Sequence, residues 1–384
     1  MMRRLFLLAL VSLFLFGCDQ NQPQQTATTS TMTITDMAGR SVEVPVHPQR
    51  VLASGSGCLR YLTYLQAQDR IVGVDSAELE VRLIDARPYA MANPQFKQLP
   101  LFGQFRGHDN PELIAALEPQ PQVIFKTYGT MGHDPDELQQ KTGIPVVVLD
   151  YGDLGVRRNA MKQALTLMAK VLGAEDRAKA VVDFMENTIA DLQKRTEGLQ
   201  GPSCYVGGIA FKGPHGFRST EPGYPPFQFL NARNVAAPQD GSEPLRHADM
   251  AKEMILEWNP GYLFVDLSTI RAGAESNSLY ELHNDPSFQE LTACKQDRVF
   301  GVLPYNWYTS NHGNTLADAY FIGKILYPEA FADVDSASKA DEIYTFLVGK
   351  PVFTDLSAAF GGLAFKRLDP SVIRIGDKGK ILSK

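Results

Sequence analysis

The chain has 384 residues, of which 44% are hydrophobic, 21% charged and 10% aromatic, and carries a formal net charge of −6. An acidic surface of this kind is a poor partner for nucleic acid. The length is sufficient for two domains with separate cores.

At the start, Arg3 and Arg4 precede an apolar run from Leu5 to Phe16. The run is too short for a permanent membrane helix and has the layout of a secretory signal, residues 1–17. It ends in Leu15-Phe16-Gly17-Cys18, which resembles the lipobox of bacterial lipoproteins and implies that Cys18 carries the lipid. Asp19, next in line, resembles the signal that retains Gram-negative lipoproteins at the inner membrane. Removing residues 1–17 takes away two arginines and no acid, moving the net charge from −6 to −8. Residues 18–31 are polar, rich in Gln and Thr, and read as a flexible tether. Cys58, Cys204 and Cys294 remain, enough for at most one disulfide and without metal or redox spacing. They read as small buried hydrophobes.

Residues 32–158 alternate short apolar runs with helical patterns. Strands are expected at Arg50–Ala53, Ile71–Val74, Gln122–Phe125 and Val146–Leu149. Asn110-Pro111-Glu112 is an N-cap followed by proline at the first helical position, opening a helix through Leu113–Leu117. This βαβ rhythm predicts a mostly parallel sheet with helices on both faces. Residues 159–200 are helical. Apolar residues recur at 161, 165, 168 and 172, then at 178, 181, 182, 185, 189 and 192. The second stretch, about 175–196, lacks proline and glycine and spans roughly 33 Å as a helix, enough to cross between lobes. Gly198, Gly201 and Pro202 end it. A second αβ series over 201–384 contains strand-like runs at Cys204–Ile209, Tyr262–Val265 and Arg298–Leu303.

The order of several motifs carries a resemblance. Thr33-Ile34-Thr35-Asp36-Met37-Ala38-Gly39-Arg40 through Val44-Pro45, then Pro48-Gln49-Arg50-Val51, looks like the opening of the cobalamin and iron-siderophore (class III) periplasmic substrate-binding proteins of ABC transporters. Leu65–Val74 and Pro111–Phe125 are similar to that family's next two units, and Asn314–Asp335, with Leu326-Tyr327-Pro328-Glu329, resembles its C-terminal helix. The resemblance covers about residues 33–349. It implies an α/β fold of two Rossmann-like lobes joined by one long helix, closing by a small rotation on a ligand held between them. It further implies a monomer that works with an ABC permease and its ATPase, neither enzyme nor carrier of an intrinsic cofactor. In this family a glutamate on each lobe docks the permease, for which Glu80 and Glu243 are the candidates. The tail from Pro351 lies beyond the resemblance and is expected to pack on the second lobe.

Open α/β sheets bind ligands at the carboxyl ends of their strands. That rule selects Ser54–Tyr61, Phe102–Asp109 and Lys126–Gly132 in the first lobe, and Phe211–Phe227, Leu267–Ala274 and Pro304–His312 in the second. From the first set the candidate binding residues are Arg60, Phe105, Arg106 and Tyr128. From the second they are Lys212, His215, Arg218, Tyr224, Tyr305, Trp307 and Tyr308. Guanidinium forks suit anionic oxygens and rings supply apolar walls. An iron–siderophore chelate fits this mixture best, followed by a corrinoid such as cobalamin, then haem with His215 or a tyrosine as iron ligand. A bare metal ion is disfavoured because the histidines show no paired spacing. An exported hydrolase is the rival from another class. Gly55-Ser56-Gly57 sits on a suitable turn, but it lacks the Gly-x-Ser-x-Gly spacing and a partner histidine.

Overall fold

The computed structural model describes residues 30–80, 82, 84–271, 277–371, 374–375 and 381–382, the last two pairs by backbone only. The expected signal peptide, Cys18 and all but the end of the tether lie outside the described residues.

An antiparallel hairpin of β1 (Thr31–Thr35) and β2 (Ser41–Pro45) opens the chain. Its period of two turns Ile34, Val42 and Val44 inward. The first lobe continues with β3 (Val51–Ser54), α1 (Cys58–Tyr64), β4 (Val74–Asp75), α2 (Ser76–Leu79), α3 (Pro88–Ala92), β5 (Leu101–Gln104) and β6 (His108–Asp109). It is completed by α4 (Pro111–Ala115), β7 (Val123–Thr127), α5 (Pro135–Thr142) and β8 (Val146–Leu149). β3, β7 and β8 form a parallel sheet with β7 central. Every residue of these strands is buried, which is why they read as unbroken apolar runs. The expected strand at Ile71–Val74 is shorter because the chain changes partner within it. The Val72 N–H bonds Val51 of β3, whereas the Val74 N–H bonds Pro100, leading into β5. Most of Phe102–Asp109, expected as a loop, is the β5–β6 hairpin.

After the first lobe come α6 (Arg158–Leu172) and α7 (Glu175–Arg195), separated by Gly173 at φ 67°. Twenty-one residues span about 31 Å. α7 buries Ala178, Val181, Met185, Ile189 and Leu192, a stripe at helical spacing. Near its start Arg177 Nε donates to the Tyr64 carbonyl of α1 at 2.8 Å. At its far end Arg195 pairs with Asp333 of the second lobe at 2.7 Å. The helix therefore joins the lobes as expected.

The second lobe comprises β9 (Ser203–Gly207), β10 (Ser219–Thr220), α8 (Pro225–Phe229), β11 (Arg233–Asn234), β12 (Ala248–Asp249), α9 (Lys252–Trp258) and β13 (Tyr262–Asp266). Then follow α10 (Ser278–Asn284), α11 (Pro286–Gln289), α12 (Thr292–Lys295), β14 (Val299–Val302), α13 (His312–Leu326), α14 (Ser336–Val348) and α15 (Phe353–Ala359). Its parallel sheet has the order β11-β9-β13-β14. Residues beyond α15 extend it, the Gly301 N–H bonding the Lys366 carbonyl at 2.9 Å and the Leu368 N–H the Val299 carbonyl at 2.8 Å. Of the expected C-terminal helix at Asn314–Asp335 only the part to Leu326 is helical, as α13, and Asp335 instead caps α14 by accepting from the Ser338 N–H at 2.8 Å.

The tail from Pro351 does more than pack on the second lobe, since its helix α15 touches α3 of the first. Ahead of it, α14 lies on α13 and also on α1 and α3. Phe346 of α14 stacks on Phe184 of α7 at 4.1 Å, with the Arg177 guanidinium 4.4 Å from its ring centre. Two helices thus brace the hinge, and rotation there must slide packed rings. Cys58, Cys204 and Cys294 are all free, the first two buried.

Candidate ligand site between the lobes

The lobes meet at the carboxyl ends of their strands, and the meeting point is a glycine. β3 runs into Gly55-Ser56-Gly57, where Gly57 has φ +84°. A Cβ there would stand 2.3 Å from the Tyr151 ring and 2.6 Å from Thr309 of the second lobe. Glycine alone permits this approach.

Arg60 follows on α1 and is 1% exposed. Its Nη1 donates to the Ser310 carbonyl at 2.8 Å and to the Tyr151 hydroxyl; its Nη2 donates to the Trp307 carbonyl at 3.3 Å. Tyr89 and Tyr151 flank the guanidinium at 5.1 and 5.7 Å from their ring centres. The other buried cations of the first lobe each hold a carboxylate, Arg87 pairing with Glu78 at 2.6 Å and Lys126 with Asp109 at 2.6 Å. Among the described residues Arg60 has only carbonyls, a phenol and rings, and its Nε has no acceptor. Ring faces and carbonyl dipoles soften a buried cation without neutralising it.

Other contacts tie the lobes around this centre. Tyr128 hydrogen-bonds Thr309 at 2.6 Å, Tyr308 donates to Asp75, and Tyr61 lies 3.3 Å from His312 Nε2. Tyr61 stacks on Tyr151 at 4.5 Å, and Tyr151 on His312 at 5.2 Å. Burial, helped by the charge of Arg60, pushes His312 down to about 3, so the ring is neutral. Among the described residues His312 Nδ1 and Trp307 Nε1 are buried without partners.

Between the lobes a crevice of about 20 Å³ is lined by Asp153 of the first and Glu221, Arg246, Tyr305 and Ser310 of the second. That is room for about one water. The groove expected to hold a bulky chelate is closed by its own tyrosines and by Arg60. Beneath it the second lobe is acidic. Burial pushes Glu221 up to about 8 and Asp266 up to about 7, and it raises Asp318 as well.

Of the residues expected to bind, Arg60, Tyr128, Tyr305, Trp307 and Tyr308 are gathered here. Phe105 and Arg106 lie at the exposed tip of the β5–β6 hairpin, at the rim, where the Arg106 N–H donates to the Tyr308 hydroxyl at 3.3 Å. Tyr224 is buried against Tyr305 and Phe227, its hydroxyl 3.5 Å from Asp318, and is part of the second core. Lys212 and Arg218 are exposed. Their loop folds back on its own lobe, His215 Nε2 lying 2.7 Å from the Phe211 carbonyl and the Thr269 hydroxyl donating to the His215 carbonyl. His215 is therefore held away from the centre where a haem ligand would be needed. Ser56 is buried, with its carbonyl accepting from Thr127 at 2.9 Å. Glu80 and Glu243 are both exposed.

Sequence reasoning missed Tyr151, Asp153 and Arg246; Tyr61, Glu221 and His312 lie within the selected loops but were not singled out as binding residues. The strand-end rule that selected the other loops applies equally to residues 150–157 after β8, and would have found Tyr151 and Asp153. Among the described residues no group of three or more His, Cys, Asp or Glu is arranged to hold a metal ion. None of the described helices is long and apolar enough to cross a membrane.

The periplasmic binding protein profile matches residues 53–304. A search of curated protein sequences returned no match. Among solved structures, the molybdate-binding protein MolA of Haemophilus influenzae superposes with a TM-score of 0.61 at 20% identity, over 83% of this chain and 98% of that one. A periplasmic solute-binding protein of Veillonella parvula gives 0.62 at 16% identity, over 83% and 93%. The petrobactin-binding protein YclQ of Bacillus subtilis gives 0.54 at 16% identity, over 83% and 99%. The α/β fold agrees with these, and the chain belongs to the periplasmic binding protein family, whose fold serves as the substrate-binding component of ABC transporters.

Proposed function

We propose that the chain captures an iron chelate of siderophore type between its lobes and delivers it to an ABC permease. Arg60 carries this reading: a fully buried cation without a carboxylate partner is matched by a ligand that brings anionic oxygens of its own. Opening the lobes would break its bonds to Ser310 and Trp307, and ligand oxygens would take over the freed N–H groups. The tyrosines around it suit the apolar flanks of a chelate. Structures of similar fold include a petrobactin-binding protein and an Fe3+-hydroxamate transport component, which support the ligand class by analogy. In this reading Cys18 anchors the protein by lipid to the periplasmic side of the inner membrane, and Glu80 and Glu243 dock the permease.

A small inorganic oxyanion is the second reading, favoured by the size of the closed crevice, about 20 Å³, and by the likeness to a molybdate-bound protein. Calorimetric titration with ferric siderophores and with molybdate separates the two. Binding of a ferric chelate that weakens at least about 100-fold in Arg60→Met, roughly 3 kcal/mol, is the expected result. Binding of molybdate alone, or equal chelate affinity in Arg60→Met, would overturn it.

A further inference from the structure

Glu221 presents the opposite problem to Arg60. It follows β10, is 6% exposed, and lines the crevice facing Asp153 of the other lobe. Among the described residues its carboxylate accepts no hydrogen bond and forms no ion pair. Arg246 supplies the nearest positive charge; its side chain is 51% exposed and reaches Asp153 only at 3.6 Å. A carboxyl in such a place is costly to ionise, and its affinity for the proton rises to about 8, through burial first and then through Asp153 and Asp266 against the pull of Arg246. Ser310 borders both problems. It lines the crevice, and its carbonyl is the acceptor that Arg60 uses across the interface.

We infer that the crevice between Asp153 and Glu221 is a subsite for a protonated amine, so that the preferred ligand carries an ammonium group beside its anionic oxygens. An ammonium has three N–H donors in a compact head, enough to serve at once the Asp153 carboxylate and, when its charge takes the place of the proton Glu221 holds, the Glu221 carboxylate. Arg246 is the closed protein's own substitute, a half-exposed surface cation leaning toward Asp153, and an incoming ammonium displaces it. The inference rests on the interlobe reading above, which assigns the anionic side of the ligand to Arg60.

Ferrioxamine B, a linear ferric trihydroxamate ending in a protonated amine, and its N-acetyl derivative share one iron core and differ by that charge. Isothermal titration should show wild-type protein binding the amine form at least about tenfold more tightly. Glu221→Gln should bring the ratio close to one and Asp153→Asn should narrow it, while thermal melting shows Glu221→Gln still folded. Equal wild-type affinities, or a preference that survives Glu221→Gln, would overturn the subsite and leave the interlobe reading standing. Failure of both compounds to bind would overturn both.

Discussion

At the centre of the interface the first lobe buries a cation, Arg60, and the second a carboxyl, Glu221, with Asp266 and Asp318 behind it. The two faces make burial tolerable by different means. Arg60 keeps its charge, because tyrosine faces and the carbonyls of residues 307–310 turn their negative ends toward it. Glu221 has no such donors and holds its proton instead. One lobe stores an uncompensated charge and the other stores a proton, and closure brings the two within a few residues of each other.

The sharpest way to break this arrangement is to hold the faces apart. Gly57→Ala adds a methyl 2.3 Å from the Tyr151 ring and 2.6 Å from Thr309, at a φ of +84° that L-residues avoid. Strain and overpacking together should cost about 2–4 kcal/mol. Chemical denaturation should report the loss, and small-angle scattering should report a larger radius of gyration. An unchanged radius would mean that the lobes do not depend on this contact.

Next in size is the stored proton. Glu221 ionises near 4.5 when unfolded and near 8 when folded. Between those values the folded protein binds the extra proton, so this group's contribution to stability falls as pH rises through the window. Glu221→Gln should remove that slope and make the protein about 1–3 kcal/mol more stable at pH 8, relative to wild type, than at pH 5. Asp266, held up to about 7 by burial, leaves a smaller slope of the same sign. Stability that gains while amine selectivity is lost would mark Glu221 as retained for binding.

How much of this was legible beforehand depends on which distances matter. The buried strand Val146–Leu149 coincides with the expected run, and α7 ends one residue from its expected end. Both are written in local periodicity. The cations and rings of the loops were legible as composition, but composition does not say which of them meet. Tyr151 and Arg60 are 91 residues apart within one lobe, and Arg60 and Ser310 are 250 apart across two. The first contact depends on how distant strand ends are brought together and the second on the angle between the lobes, and no local pattern encodes either. Closure was illegible for the same reason. The same residues read as the walls of an open groove or as its filling, and only packing distinguishes the two.

A smaller effect is expected at Tyr308, which joins the faces at the mouth. Its hydroxyl donates to Asp75, whose carboxyl burial pushes up to about 6. Tyr308→Phe removes that donor and should cost about 1 kcal/mol at pH 7 by denaturation, with Asp75 taking up its proton at a higher pH than in wild type.

The smallest effects test whether the comparison is confined to the interface. Lys212 and Arg218 have the composition of an anion site, yet both side chains are in solvent on a loop pinned to the second lobe through His215 and Thr269. Their charges act on a ligand between the lobes through water and salt, which screen them. Lys212→Ala and Arg218→Ala should therefore change chelate affinity by less than about twofold at 0.15 M salt, and should slow association slightly at low salt. A tenfold loss of affinity in either would place ligand contacts outside the centre built on Arg60 and Glu221, and would show that the second lobe offers the ligand a basic rim as well as an acidic floor.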